Sequence, residues 1–468
     1  GYCTAMCGVG HAACDGACVE TRDGELCTKS CTSDRDCRTD EGYVCDRQWR
    51  ACLVPNFAAI VPKQCPTQTG RALAFADSTA VSTPSTPGLA QRAPASVLAD
   101  DGGLITAFTT STPDGGGVLG ISRLDATGAR TTDQPFAPGR TTQVDGMLAR
   151  DRKGNLIAVW HGVGESSHEL GLATSTNRGA TWSSPAIVHD AGDCAEAPRD
   201  CIDRALVAAG RDALHVLYAT GESGLRVRTS RDGGKSFKTG PIVLGGTRGH
   251  AVVGSDNRLH VVAMTGGPLG GYGSALQQLE YTASGDGGAT FTTPITVSGR
   301  DEVLPFYASN PTVAVDTARR WIYVAYARGG RDGAWEIVLA TSKDAGTTWK
   351  RTKLAGDGCA IHMVPNLALD AATGTLHVAY YDSAGAPGRF VHASCAPGAT
   401  KCKLHGAINS VPFAALSTGR HSSKWVGEYQ SLGFDDKRRV LHAVWAQPVD
   451  ESGKLVTRIF HAQAKLKK

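Results

Sequence analysis

No apolar run in the chain approaches the ~20 residues that a membrane-crossing helix requires, so no helical span is expected. A dominant charge of one sign is also missing. The 48 basic and 44 acidic residues are scattered over 468 positions and leave a net charge of +4. That balance gives no electrostatic footing for nucleic acid or for an anionic membrane surface. Charged residues amount to only 20% and aromatic residues to 6%, a composition that disfavours coiled coils and long helices. Several catalytic signatures are lacking too. There is no G-x-S-x-G elbow, and Ser167-His168-Glu169-Leu170 lacks the second histidine of a zinc-protease motif. Gly266-Gly267-Pro268-Leu269-Gly270-Gly271 has no phosphate-loop lysine after it and reads as an inter-strand loop.

Glycine is what the chain has in quantity: 57 residues, with 21 prolines and 15 cysteines. Together with plentiful Ser and Thr, this suits short strands joined by tight turns. At ~150 residues per domain the length suggests three domains, although closed β-architectures run longer as one unit.

The cysteines divide the chain. Ten lie within the first 65 residues, at Cys3, Cys7, Cys14, Cys18, Cys27, Cys31, Cys37, Cys45, Cys52 and Cys65. So few aliphatic residues separate them that an ordinary core cannot form there. Residues 1–65 therefore read as a small disulfide-stapled module, which implies an oxidising location: secreted, periplasmic or extracellular. Zinc binding is the rival, since Cys3/Cys7, Cys14/Cys18 and Cys27/Cys31 share C-x3-C spacing. Further on, Cys194/Cys201 and Cys395/Cys402 are each spaced for a local disulfide, and Cys359 is left over. It could be tied to Cys65 or be a nucleophile, but no local His/Asn signature supports the latter. Residues 66–90, rich in Ser, Thr and Pro, read as a linker. Within it Arg71–Phe75 reads as a strand able to close the last unit of the domain that follows.

A repeat organises residues 91–468. Ser175-Thr176-Asn177-Arg178-Gly179-Ala180-Thr181-Trp182 recurs from Ser230 to Phe237, from Ser284 to Phe291 and from Ser342 to Trp349, at steps of 55, 54 and 58 residues. The pattern S-x-[DN]-x-G-x-[ST]-[WF] is turn chemistry: the Asp or Asn accepts backbone N–H bonds, Gly adopts positive φ, and the aromatic anchors the turn. Degenerate copies stand at Ser122–Gly128 and at Ser394–Thr400, where Ala396 replaces the acid and the Cys395/Cys402 pair brackets the turn. A second signal counts the units. Apolar strands recur at Leu104–Phe108, Leu156–Trp160, Leu214–Tyr218, Leu259–Ala263, Ile322–Tyr326, Leu376–Tyr380 and Leu441–Trp445. The motif resembles the Asp-box (BNR) repeat of sialidases and related β-propellers. The resemblance implies an all-β propeller of four-stranded blades with the boxes joining third and fourth strands, away from the active face. The seven apolar strands favour seven blades over six. His215, His260, His377 and His442 hold one repeated position, which predicts packing between blades over a common metal or catalytic site.

In a propeller the first strands line the channel, and the loops entering them form a funnel. Arg92, Asp145, Asp203 with Arg204, Arg248 with His250, Tyr307 with Asn310, His362 with Asn366, and Glu428 with Tyr429 fall at those entries. Arg92-Ala93-Pro94 and the later Asp114 resemble the opening blade of sialidases. By that likeness Arg92 would bind a substrate carboxylate and Asp114 would act as acid/base. Glu428-Tyr429-Gln430 resembles the segment carrying the nucleophilic Tyr, with Glu428 adjacent to activate Tyr429. Arg328 is the nearest further member of an arginine clamp. The pattern also departs from the family: Ala93 stands for Ile, and Ser309-Asn310-Pro311 lacks the mid-chain catalytic Glu.

These readings lead to a secreted carbohydrate-active propeller with a glycan substrate or ligand at the funnel, resembling exo-sialidases if it is an enzyme. The alternatives are a non-catalytic propeller binding a glycan, peptide or protein, with the Cys-rich module as a second contact for a protein partner, and a metal-dependent enzyme on the same scaffold. No cofactor is expected. A channel metal held by Asp145, His250, His362 and Glu428 would lack compact ligand spacing.

Overall fold

A computed structural model describes residues 5–6, 16–21, 24–41, 43–46, 50–53, 70–72, 74–83, 88–112, 116–136, 142–163, 168–189, 202–220, 224–265, 278–299, 302, 304, 310–329, 335–356, 361–383, 388–399, 401–413 and 426–466. Seven antiparallel four-stranded units follow one another along the chain. Their first strands are Gln91–Leu98, Thr142–Arg150, Ile202–Ala209, Gly246–Val253, Thr312–Asp316, Ile361–Asp370 and Ser431–Asp435. Each first strand packs on the next, and the seventh packs on the first, so the units close into a ring. This is a seven-bladed β-propeller. Blades 5 and 6 are additionally joined by one parallel bridge, Trp335 to Ile361.

The apolar runs of the sequence are the second strands of the blades. Leu214–Thr220 and Leu259–Thr265 are buried at every position. A second strand is covered on both faces by adjoining blades, so alternation gives way to a continuous apolar run. Outer strands are more exposed, as at Ala186–Ile187 and Lys350–Ala355.

The repeated turns join third to fourth strands and pack each blade on the one before it. In blade 5 the Ser342 hydroxyl receives Gly346 N–H at 2.8 Å and donates to Asp344 Oδ1 at 2.7 Å. Asp344 also accepts from the Thr348 hydroxyl at 2.6 Å and from Thr348 N–H at 2.9 Å, and these two bonds first, with that from Ser342, hold its pKa down to about 2. Gly346, at φ 97°, lies so close to Tyr281 of blade 4 that a Cβ would meet its ring at 2.2 Å. The degenerate turn of blade 1 keeps this chemistry, Asp125 Oδ1 accepting from Thr127 N and Ala129 N. In blade 6 the turn is closed by the Cys395–Cys402 disulfide, and Gly398 N–H reaches Tyr323 Oη of blade 5 at 3.0 Å.

The recurring histidines are buried packing groups. His215 bonds Thr229 at 3.0 Å, His260 bonds Tyr281 at 2.8 Å, His377 bonds His392 at 3.1 Å and His442 bonds His461 at 3.1 Å, each within its own blade. Burial lowers the pKa of His215, His260, His377 and His442 to about 4.

The ring is closed by a strand other than the one expected. Thr79–Ala80 is the fourth strand of blade 7, pairing with His461 and Phe460. Arg71 and Phe75 make isolated bridges instead, to Ala407 of blade 6 and Ala464 of blade 7. Two residues at Thr79–Ala80 carry no apolar pattern, which is why the more apolar Arg71–Phe75 stood out.

At the N-terminus, disulfides join Cys31 to Cys45 and Cys37 to Cys52. Among the described residues the one His/Cys/Asp/Glu group tight enough to share an ion is Cys31, Cys37 and Cys45, whose sulfurs are consumed in these bonds. Cys194, Cys201, Cys359 and Cys65 lie outside the described residues.

Candidate functional site

The funnel is built by a repeated irregularity in the innermost strands. Beyond a register shift between Gly246 and Arg248 in blade 4, four of them carry a β-bulge near the funnel end, with register shifts between Arg92 and Ala95, Val144 and Met147, Asp203 and Leu206, and Met363 and Asn366. In each, the first extra residue is a non-glycine with positive φ: Ala93 at 53°, Asp145 at 55°, Arg204 at 54° and Val364 at 49°. Such a conformation costs roughly 1–3 kcal/mol per residue. A bulge bends the strand and re-aims its side chains, a device common at barrel rims and active sites.

At one of these bulges Arg204 of blade 3 meets Glu428, which enters blade 7 on the far side of the ring. The Arg204 fork grips the carboxylate, Nη1 on Oε2 and Nη2 on Oε1 at 3.2 Å. Arg248 of blade 4 brings Nη2 to Oε1 and Nη1 to Oε2, both at 3.0 Å. Asn310, entering blade 5, accepts from Arg248 Nη1 at 3.3 Å and donates to the Glu428 carbonyl at 3.0 Å. All four are buried, Arg248 with 1% of its surface exposed and Glu428 with 5%. Bidentate guanidinium–carboxylate pairs are geometrically specific, and in a dry interior each charge depends on the other. The cluster is a bolt across the channel, drawing on blades 3, 4, 5 and 7.

Gly427 makes the bolt possible. Its φ is 87°, and a Cβ there would meet the Ala93 backbone nitrogen at 2.5 Å. The segment carrying Glu428 thus docks directly on the blade 1 bulge, where Ala93 N–H bonds Val426 O at 3.2 Å.

The other candidates are distributed around this cluster. Arg92, half-buried on the first strand of blade 1, donates to Ser111 Oγ at 2.8 Å. Tyr429 follows Glu428 and is buried, with 9% exposure. His250 Nδ1 accepts from Val313 N at 3.3 Å, tying blade 4 to blade 5, and desolvation lowers its pKa to about 4. His362 is buried with its ring 5.7 Å from that of Tyr380. Asp145 sits at its own bulge, its N–H on Thr109 Oγ1 at 3.3 Å. Asp203 lies on the first strand of blade 3, opposite Ala219. Asp114 and Tyr307 lie outside the described residues.

Two expectations are corrected. Glu428 was expected to activate Tyr429 as a base, but both its oxygens receive guanidinium N–H groups, so its geometry is that of a buried counterion. Among the described residues Asp145, His250, His362 and Glu428 do not form a group whose ligand atoms lie close enough to share an ion. Arg328 was expected in an arginine clamp for a ligand carboxylate. It is held instead by two carboxylates of the protein, Glu302 at 2.7 Å and Glu336 at 2.7 Å. Arg204 is the central residue that sequence reasoning underweighted, naming it only as the neighbour of Asp203. Its one local signal is its place beside an acidic residue at a funnel entry.

The fold and site define a seven-bladed propeller with a polar bolt at the funnel end of its channel. No protein-family model matches the chain, and no curated protein sequence matches it. Among solved structures it is similar to a protein of unknown function from Dyadobacter fermentans, with a TM-score of 0.50 and 13% identity over 84% of this chain and 99% of that one. That likeness concerns the fold. More distant similarities are to the Hadza microbial sialidase Hz136, with a TM-score of 0.43 and 18% identity over 63% of this chain and 64% of that one. The leech intramolecular trans-sialidase has a TM-score of 0.44 and 11% identity over 71% of this chain and 69% of that one.

Proposed function

We propose that this protein is a secreted propeller that recognises glycans at its funnel, favouring those that carry an acidic sugar. The observation that carries the reading is the convergence of Arg204, Arg248, Asn310 and Glu428 at the funnel end, immediately before Tyr429 and with Arg92 on the adjoining blade. Arg204 and Arg248 are neutralised by Glu428, so in this reading Arg92 meets the ligand carboxylate while the bolt holds the funnel end rigid beneath the ligand. Two disulfides in the N-terminal module suit an oxidising compartment, and that module is the proposed second contact for a protein partner.

In the hydrolytic form of this reading, Tyr429 Oη attacks the anomeric carbon and gives its proton to solvent as the glycosidic bond breaks. Asp114 protonates the leaving oxygen and then takes a proton from the water that releases the sugar from Tyr429. In the second form the funnel binds without cleaving. The paired oxygens of Glu428 favour this second form, because a carboxylate neutralised by two guanidiniums is a poor proton acceptor.

A panel of fluorogenic glycosides that includes sialosides, together with a glycan array, tests both forms on wild type and Tyr429→Phe. Hydrolysis predicts turnover that Tyr429→Phe reduces by more than ~10³-fold. Recognition alone predicts array binding of acidic glycans without turnover. Neither binding nor turnover on any glycan overturns the proposal.

A further inference from the structure

The segment that closes the ring does more than add one strand. Residues 70–72 and 74–83 run across three blades. Ala72 N–H bonds Ala407 O at 2.8 Å, and Ala407 N–H bonds Gly70 O at 3.0 Å, on the outer strand of blade 6. Ser78 and Ser410 exchange hydrogen bonds, Ser78 N to Ser410 Oγ at 3.0 Å and Ser410 N to Ser78 Oγ at 2.8 Å. Phe75 and Thr79–Ala80 then pair with blade 7. Beyond them, Val81 O accepts from Ser122 Oγ at 2.7 Å, and Thr83 N–H bonds Asp133 at 2.7 Å, both on blade 1. This strap joins the last two blades to the first.

Histidines are concentrated beneath it. His377, His392 and His405 form a stack in blade 6: His377 Nδ1 is 3.1 Å from His392 Nε2, and the His392 and His405 rings lie 4.8 Å apart at 18°. Phe75 of the strap packs edge-on against His392, with ring centroids 5.4 Å apart. His377 stacks at 5.7 Å on Phe434 of blade 7. In blade 7 the pair His442–His461 continues the row, and His461 is the register partner of Thr79. Five of the 14 histidines of the chain thus stand at its closure.

We propose that the strap is an acid-released latch: protonation of the histidines under Phe75 and Thr79 frees residues 70–83 from blades 6 and 7 before the remaining blades unfold.

The chemistry follows from the pairing. A neutral imidazole pair shares one N–H···N bond, whereas two imidazoliums present only donors to each other. His405 bonds Ser394 Oγ at 2.7 Å, and no carboxylate bonds the three stacked rings among the described residues. The surrounding charges give a proton little compensation. Asp370, nearest to His377, is already engaged by Arg439 at 2.6 Å and Thr373 at 2.6 Å. Arg439 lies over Phe434, and Lys403 adds positive potential at His405. Asp435, facing His442, is paired with Arg438 at 2.9 Å. On the strap itself, Arg71 is bound to Asp77 at 2.7 Å. Burial and neighbouring imidazoles hold the pKa of His392 well below its ordinary value and that of His461 at about 3. Protonation therefore opens the contact instead of being absorbed by it.

Hydrogen exchange of the full chain, read by mass spectrometry at pH 7 and pH 4.5 and corrected for intrinsic rates, tests the latch. The expected result is loss of protection in residues 70–83 by at least tenfold at pH 4.5, with the second strands of blades 2–4 still protected. His392→Phe, which keeps the aromatic packing but takes no proton, should move that loss to lower pH. Unchanged strap protection at pH 4.5, or loss at the same pH across all blades, overturns the proposal. If His392→Phe does not fold, imidazole titration by NMR of the wild type decides. Strap release that tracks protonation of these rings supports the latch, and release that does not track it overturns it.

Discussion

Glu428 shows how one residue's meaning changes with its contacts. Beside Tyr429 in sequence it looks like a base, and in space it neutralises guanidiniums from two other blades. Removing one member of a buried ion cluster leaves the remaining charges uncompensated, at a cost of about 3–5 kcal/mol. Glu428→Ala should lower the unfolding free energy by about that amount in a urea titration. An unchanged midpoint would show that the bolt does not hold the ring. Gly427 makes a second test at this scale. A side chain there must enter the Ala93 backbone and adopt positive φ, so Gly427→Ala should destabilise by roughly 1–3 kcal/mol. It should also displace Glu428, which a comparison of urea midpoints in Gly427→Ala, Glu428→Ala and the double variant would reveal as non-additivity.

Among elements, the repeated turn carries the inter-blade packing. Ser342 is fully buried, and its hydroxyl satisfies Gly346 N–H. Ser342→Ala strands that donor, and thermal or urea unfolding should register a loss of about 1–3 kcal/mol. The blade 6 turn lacks the acid and has the Cys395–Cys402 disulfide in its place. Closing a loop of this length contributes about 2.5 kcal/mol in the chain-entropy description, so the double Cys→Ser variant should lose stability of that order. Were it as stable as wild type, the bridge would not be the substitute for the missing Asp. Both turn types were legible from sequence because their donors and acceptors lie within eight residues of one another. The second strands were legible for a related reason: burial on both faces forces a local apolar run.

For the whole molecule, the buried histidines set the response to acid. Their folded pKa values lie below the unfolded value of 6.5, at about 4 for His215, His260, His377 and His442. Above about pH 6.5 both states are neutral and stability is full. As pH falls from 6.5 toward 4 the unfolded chain takes up protons that the folded chain refuses, and each such histidine costs up to about 1.4 kcal/mol per pH unit. The melting temperature should therefore be flat from pH 7 to 8 and fall steeply between 6 and 4. A flat profile through that lower window would contradict the burial of these rings. The ring geometry also makes stability depend on its closure. Deleting residues 1–83 removes the fourth strand of blade 7 and exposes an unpaired edge, which should promote association or unfolding in sedimentation experiments.

The amino-acid sequence by itself determined the turn chemistry and the split between a cysteine-rich segment and a glycine-rich repeat, and it favoured seven blades over six, a count that the closed ring of seven four-stranded units decided. Each rests on residues close together in the chain, where periodicity and turn-forming groups leave a local mark. It also brought forward Arg248, Asn310 and Glu428 as funnel residues, because polar groups beside apolar strands stand out. Only the tertiary structure decided what those residues do. Arg204 and Glu428 are 224 positions apart, and Arg248 and Glu428 are 180 apart. They meet because bulged inner strands and Gly427 turn them toward one point of a closed ring. The two-residue closing strand Thr79–Ala80 was hidden for the same reason. Its place is fixed by the edge of blade 7 that it must cover, and no pattern within it says so.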